Sequence, residues 1–208
     1  MMTAAVITYH GDMGRWEPNA RGRLAKAALT LYAGQGFEQT TAAEIARDAG
    51  LTERTFFRHF ADKREVLFYG SDALRDLLVR AVADAPPAAG PMDAVGAALQ
   101  AVGAVIQESP EPARLRHAVV SANPELRERE LGKFAEFAAV MAGALGDRGV
   151  PELAATLAAE TGIAVYRVAF ARWICDPVRR DLPELLRESV AELRDVLADR
   201  LVSAPLPR

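Results

Sequence analysis

The sequence predicts an all-α protein in two parts, a small N-terminal three-helix head and a larger helical body. Three observations carry that expectation. Apolar residues recur at spacings of three and four, Ala and Leu abound, and no run alternates β-branched with polar residues as a strand would. The stretch "APPAAGP" at 85–91 reads as a linker. Pro110, Pro124, Pro151, Pro177 and Pro183 each stand where a helix would begin or break. At 208 residues, 50% of them hydrophobic, the chain can bury a core without covalent staples. Its one cysteine, Cys175, rules out an internal disulfide and reads as a small apolar filler.

In chain order, residues 1–16 read as a loose arm, with neither a signal peptide nor a membrane span in "MMTAAVITYHGDMGRW", so a cytoplasmic protein with no membrane partner is expected. A first helix runs from about Asn19 to Gln35, with Leu24, Ala28 and Leu31 on one face and Gly36 suited to its left-handed cap. Thr41 and Glu44 have capping-box spacing and open a short helix through Ile45 and Ala49, which Gly50 ends. Thr52 caps the next helix. Asp62 and Glu65 open a longer one, to about 84, carrying Val66, Leu67, Leu74, Leu77, Leu78 and Val82. Beyond the linker come five helices at roughly 92–107, 112–121, 124–147, 151–175 and 182–202.

The last two helices differ from the rest. Residues 157–174, "LAAETGIAVYRVAFARWI", are apolar on nearly all sides and must be covered all round, with Gly162 and several alanines allowing close approach. The final helix carries a stripe of Leu182, Leu186, Val190, Leu193, Leu197 and Leu201. Together they are expected to form a homodimer across a two-fold axis, with Val165 and Leu193 in the interface.

The segment "LTERTFFRHF", 51–60, is two-faced when wound as a helix at about 100° per residue. Phe56 and Phe60 share one side and can pack on Ile45 and Ala46. Arg54, Thr55, Arg58 and His59 lie across the other, with Phe57 at the border. A short helix, a tight turn at Gly50-Leu51 and a second helix with a basic outer face make a helix-turn-helix, whose second helix enters the DNA major groove. Arginine can fork onto guanine, while threonine and lysine reach phosphates. The charge distribution agrees: residues 1–70 hold nine Lys/Arg against eight Asp/Glu, whereas the remainder holds sixteen against twenty.

"TTAAEIARDAGLTERTFFRHFADKREVL", 40–67, resembles the signature of the TetR family of bacterial transcriptional regulators, and "ALTLYAGQGFEQTT" resembles that family's opening segment. The resemblance implies a helix-turn-helix DNA-binding domain over 17–68, followed over 69–208 by a helical effector-binding and dimerisation domain. It implies that Thr41 touches a phosphate of a double-stranded DNA operator, and that Thr52, Arg54 and Thr55 meet phosphates and base edges. His59 stands at the usual His/Tyr position, and Lys63 at the lysine expected on the DNA backbone. Phe57 departs from the commoner tyrosine and loses that hydroxyl's phosphate bond. Arg54 replaces a frequent glycine. "RLRHAVVSANPELRER", 114–129, is similar to C-terminal domains of a subgroup that includes mycofactocin-type regulators.

Enzyme chemistry finds no foothold in the sequence. Its three histidines, His10, His59 and His117, show no metal-ligand spacing, and no nucleophile-elbow, Walker or dinucleotide glycine pattern appears. No cofactor is expected. A small-molecule effector could enter between body helices, lined by His117, Phe134, Phe137, Met141, Tyr166 and Trp173, roles with which ordinary core packing competes. Arg167, set in an apolar helix, would either pair with a neighbouring carboxylate or anchor an acidic effector. The expected mechanism is a ligand-released repressor in which the effector wedges the body and the helix at 62–84 transmits the shift; the alternatives are an activator or an effector-independent regulator, or a helical small-molecule-binding protein or enzyme that retains the head.

Overall fold

The computed structural model describes residues 19–176 and 178–198, and among them it holds nine α-helices, one short 3-10 turn and no strand. The expected arm at 1–16, His10, Pro177 and Leu201 lie outside the described residues. The chain folds as two compact units. One runs to Asp72 and adds Pro110–Leu131; the other comprises Ala73–Ser109 and the chain from Gly132 onward.

The first unit contains α1 (Ala20–Gln35), α2 (Ala42–Asp48), α3 (Glu53–His59) and the 3-10 turn Glu65–Phe68. Two later pieces complete it: α6 (Pro110–Ala122) and the first two turns of α7 (Pro124–Asp147). Leu24, Ala28 and Tyr32 from α1, Ile45 and Ala46 from α2, and Phe56 from α3 meet in one core. Val119 and Val120 of α6 and Leu126 of α7 belong to that same core, and Leu126 is fully buried. Burial of Phe56 alone stabilises the association by about 1.5–3 kcal/mol.

The continuous helix expected from 62 to 84 is broken. Val66, Leu67 and Phe68 are all buried, although three consecutive α-helical positions sweep about 200° of a helix surface and cannot all face one core. The 3-10 turn solves this by tightening the chain. Asp62 Oδ1 accepts from the Arg64 and Glu65 N–H groups at 2.7 and 3.0 Å to open it, and the chain turns at Gly70 before α4 (Ser71–Ala83) starts.

The second unit packs α5 (Pro91–Gln107), α8 (Glu152–Cys175) and α9 (Leu182–Leu197) tightly against one another. Gly162 permits the approach of α8 to α5, since a Cβ there would strike the Val95 side chain. The Gln107 amide oxygen accepts from the Trp173 indole and from the Leu182 N–H, both at 3.0 Å, which ties the three helices at one end. At the α7–α8 corner, the Arg148 guanidinium donates to the carbonyls of Val82, Ala83, Ala85 and Pro86 at 2.6–3.2 Å. The Val82 and Pro86 carbonyls also accept from the Ala85 and Ala89 N–H groups, at 3.4 and 2.8 Å, so the guanidinium reinforces the turns that follow α4.

The apolar helix α8 is long and apolar enough, by length and composition, to cross a membrane. It instead buries Ala155, Ala159, Ile163, Val165, Ala169 and Trp173 within its own unit. The opposite face is open: Leu153, Leu157, Ala164, Val168 and Ala171 are exposed, at 58% for both Leu157 and Val168. Val165, expected in an intermolecular interface, therefore faces its own core. The α9 stripe also divides. Leu182, Leu186 and Val190 are buried, Leu193 is half-buried, and Leu197 is exposed.

Candidate nucleic-acid interface

Local chemistry sets the helix-turn-helix. Thr41 and Glu44 form a reciprocal capping box: the Glu44 N–H donates to Thr41 Oγ1 at 3.2 Å, and the Thr41 N–H to Glu44 Oε2 at 2.8 Å. That backbone N–H, aided by the Thr41 hydroxyl, holds the Glu44 carboxyl below its ordinary range. Gly50, at φ 65°, takes the left-handed turn, and the Leu51 N–H donates to Ala46 O at 2.8 Å. Arg23 of α1 clamps the turn from outside by donating to the Ala49 carbonyl. Thr52 then caps α3, accepting from the Thr55 N–H at 3.2 Å.

On α3, Phe56 and Phe60 are buried, with ring centroids 5.7 Å apart. Thr52, Arg54, Phe57 and Arg58 are exposed, Phe57 at 53%, and Thr55 and His59 are half-buried. The structure thus places Arg54, Thr55, Phe57, Arg58 and His59 on one helix capped by Thr52, with the Phe56 and Phe60 rings inward and Phe57 and the two arginines outward. Not all the hydroxyls are equally available. The Thr41 hydroxyl already gives its single proton to Glu44 Oε2 at 2.9 Å, so a phosphate would have to compete for it. In the Thr52–Thr55 hydroxyl pair, 2.9 Å apart, one proton is spent within the pair and the other is available.

Lys63 is placed differently from its expected role on the DNA backbone. Its ammonium donates to the carbonyls of Phe37, Glu38 and Thr40 at 2.9, 3.3 and 3.2 Å, and lies 4.3 Å from the centre of the Phe37 ring. The buried Tyr32 hydroxyl donates to the Lys63 carbonyl at 2.6 Å. Burial, with a smaller contribution from Asp62, raises the Tyr32 pKa and keeps this donor protonated. A charged side chain that the sequence suggests is solvent-facing is therefore the tie that shapes the loop before α2.

The residues expected to line an effector site fall in two places. His117 lies in the first unit, half-buried, 3.3 Å from the Ser121 hydroxyl. In the second unit, Phe134 meets Tyr166 edge-on at 5.8 Å, Tyr166 stacks on Phe170 at 5.5 Å, and Phe170 approaches Trp173 at 5.5 Å. Phe134, Phe137, Tyr166 and Phe170 are half-buried, whereas Met141 and Trp173 are fully enclosed. Phe170 was not among the expected lining residues, although its spacing of four from Tyr166 and three from Trp173 marks the row. Arg167 stands exposed on α8 and needs no inward partner, which corrects the picture of a guanidinium set within the apolar helix. Among the described residues, no group of three or more His, Cys, Asp or Glu side chains is placed to share a metal ion.

The Lys63 cage generates a direct expectation. Lys63→Met leaves three carbonyls without their shared donor and should lower thermal stability by about 1–3 kcal/mol. A role as a phosphate contact would instead reduce the salt slope of DNA binding by about one, with the fold unaffected. Thermal unfolding, with binding isotherms at several salt concentrations, separates the two. A wild-type melting temperature with a reduced slope would refute the cage as Lys63's main task.

The chain matches two family patterns: "Bacterial regulatory proteins, tetR family" over 24–69, and "MftR C-terminal domain" over 89–198, more than half of its length. Over 117 residues it is 34% identical to the HTH-type transcriptional regulator TcmR of Streptomyces glaucescens, covering 56% of this chain and 51% of that protein. The chain thus spans about half the length of that relative. Over 201 residues it is 25% identical to the chain proposed as the mycofactocin biosynthesis regulator MftR of Mycobacterium tuberculosis, covering 94% of this chain and 99% of that one. Among solved structures, it is similar to Thermus thermophilus FadR, a TetR-family repressor in complex with lauroyl-CoA. That likeness has a TM-score of 0.55 at 26% identity, covering 90% of this chain and 99% of FadR. The two matched patterns together establish that this chain belongs to the TetR family of bacterial transcriptional regulators.

Proposed function

We propose that this regulator is a cytoplasmic homodimeric repressor that binds a palindromic operator through α3 and is released by a small-molecule effector, with no catalytic step of its own. The observation that carries the reading is the two-sidedness of α3. Phe56 and Phe60 seat it in the head's core, while Arg54, Phe57, Arg58 and Thr52 present an apolar and cationic surface to an outside partner. The arginines suit guanine edges or phosphates; Phe57 suits a sugar or a thymine methyl. His59, half-buried, and Thr41 and Thr55, each engaged in a cap, serve mainly to place these groups.

Dimerisation is supported by the open face of α8. Leu153, Leu157, Ala164, Val168 and Ala171 recur at spacings of three, four and seven, and Val196 and Leu197 are exposed on α9. An apolar stripe of this kind on two neighbouring helices fits a four-helix interface across a two-fold axis. The effector is read as a molecule with a long apolar part and an acidic group, a combination also present in the lauroyl-CoA held by FadR. The half-buried rings of Phe134, Phe137, Tyr166 and Phe170 would supply its adaptable wall.

Operator binding is tested by a mobility-shift assay with the DNA upstream of its own gene. Arg54→Ala is expected to weaken the specific complex by about 1–3 kcal/mol if it reads a base, with thermal stability unchanged. Equal binding by mutant and wild type would remove Arg54 from the interface. Assembly is read separately by sedimentation. Wild type should be a dimer at micromolar concentration and Leu157→Asp a folded monomer, whereas a monomeric wild type would dismiss the dimer.

A further inference from the structure

The stretch at 114–129 was singled out by its sequence, yet neither operator contact nor effector binding uses its charges. In the structure Arg116, Glu125 and Arg129 of that stretch face the head. Arg64 reaches Glu125 at 2.7 Å, and Glu65 pairs with Arg129. Arg116 of α6 donates to Glu130 and to the Leu67 carbonyl, both at 2.8 Å, with its guanidinium 5.0 Å above the Phe68 ring. Beneath the ring of charges, Leu126 and Val120 are buried with Val66, Leu67 and Phe68. Every one of these contacts lies within the first unit.

We propose that these six charged residues form a register latch that holds α7 to the head in one setting, and that operator affinity depends on it. The order of the charges is the argument. The head offers a positive charge at Arg64 and then a negative one at Glu65. The facing side of α7 offers a negative charge at Glu125 and a positive one at Arg129, one helical turn later. A slip of α7 by one turn in one direction sets Arg129 against Arg64 and leaves Lys133 to face Glu65, one repulsion and one attraction in place of two attractions. A slip in the other sets Glu125 against Glu65. Each slip exchanges two opposite-charge pairs for an arrangement with a like-charge pair in it, so the pattern favours the observed register although each partly exposed pair is weak alone.

The same helix continues without a break to Asp147 and carries Phe134 and Phe137, the first of them five residues beyond Arg129. This part of the inference rests on the effector reading given above: a ligand that displaces those two rings pulls on the helix whose first turns are latched to the head. Arg64, Glu65, Arg116, Glu125, Arg129 and Glu130 act as positioning residues and lie outside the exposed face of α3.

A charge swap in the full-length protein tests this. Arg129→Glu and Glu65→Arg are each expected to weaken operator binding about tenfold, and the protein carrying both should recover most of that loss. The salt slope should stay at its wild-type value throughout, because no phosphate contact is removed. Singles that bind like wild type, or a swap no better than the singles, would overturn the latch. Where a single variant fails to fold, Glu125→Gln and Arg64→Gln are read in the same way. If the wild-type protein shows no specific operator binding, the functional reading fails, and the latch is judged on the protein alone. The unfolding midpoint should then drop in each single and recover in the swap, and simple additivity of the midpoints would overturn it.

Discussion

One ammonium group organises the part of this protein that faces outward. Lys63 gathers the carbonyls of Phe37, Glu38 and Thr40, and so fixes the loop that delivers the chain to Thr41. Thr41 caps α2, α2 sets the Gly50 turn, and the turn aims α3. The Phe37 carbonyl also accepts from the Thr40 N–H at 3.3 Å, and the three-donor cation joins that turn to the carbonyls of Glu38 and Thr40, which imposes a shape on the loop. Tyr32 returns the bond through the Lys63 carbonyl, which locks the cation's own backbone to α1. The outward arginines are positioned by this inward lysine.

The head is also less self-sufficient than a three-helix unit would be. Its core takes Val119, Val120 and Leu126 from segments some fifty residues further along the chain. A domain this small gains in stability from each added apolar side chain, because surface outweighs volume at that size. The residues that complete the core sit on α6 and the first two turns of α7, the later pieces of chain that belong to the first unit.

Much of this was legible in the sequence, for physical reasons that also mark the limits. Capping residues and prolines placed the helix ends to within a few residues, since they act through local hydrogen bonds and fixed dihedral angles. The 100° spacing separated Phe56 and Phe60 from Arg54 and Arg58. What could not be read was the partner of each surface. Periodicity says that the 114–129 stretch has an apolar side, but not that the head is what covers it. Lys63 looks solvent-facing because its carbonyl partners lie some 25 residues away in a loop of no regular pattern. Arg23 at the Gly50 turn gives no signal for the same reason. The break before α4 was within reach: three consecutive apolar residues, Val66, Leu67 and Phe68, all of them buried, do not suit one α-helical face.

The central claim is that the recognition helix, the Lys63 cage and the α6–α7 segment form one cooperative body. Native-state hydrogen exchange tests it most directly, since it reports the free energy at which each backbone amide opens. The amides of Leu51, Phe56 and Phe60, which anchor the turn and α3, should exchange through the same opening as those of Val120 in α6 and Glu130 in α7, both of which lie inside their helices. A common opening free energy across these five is the expected result. Exchange of the α3 amides through a separate, much lower-energy opening, with the α6 and α7 amides still protected, would contradict the account.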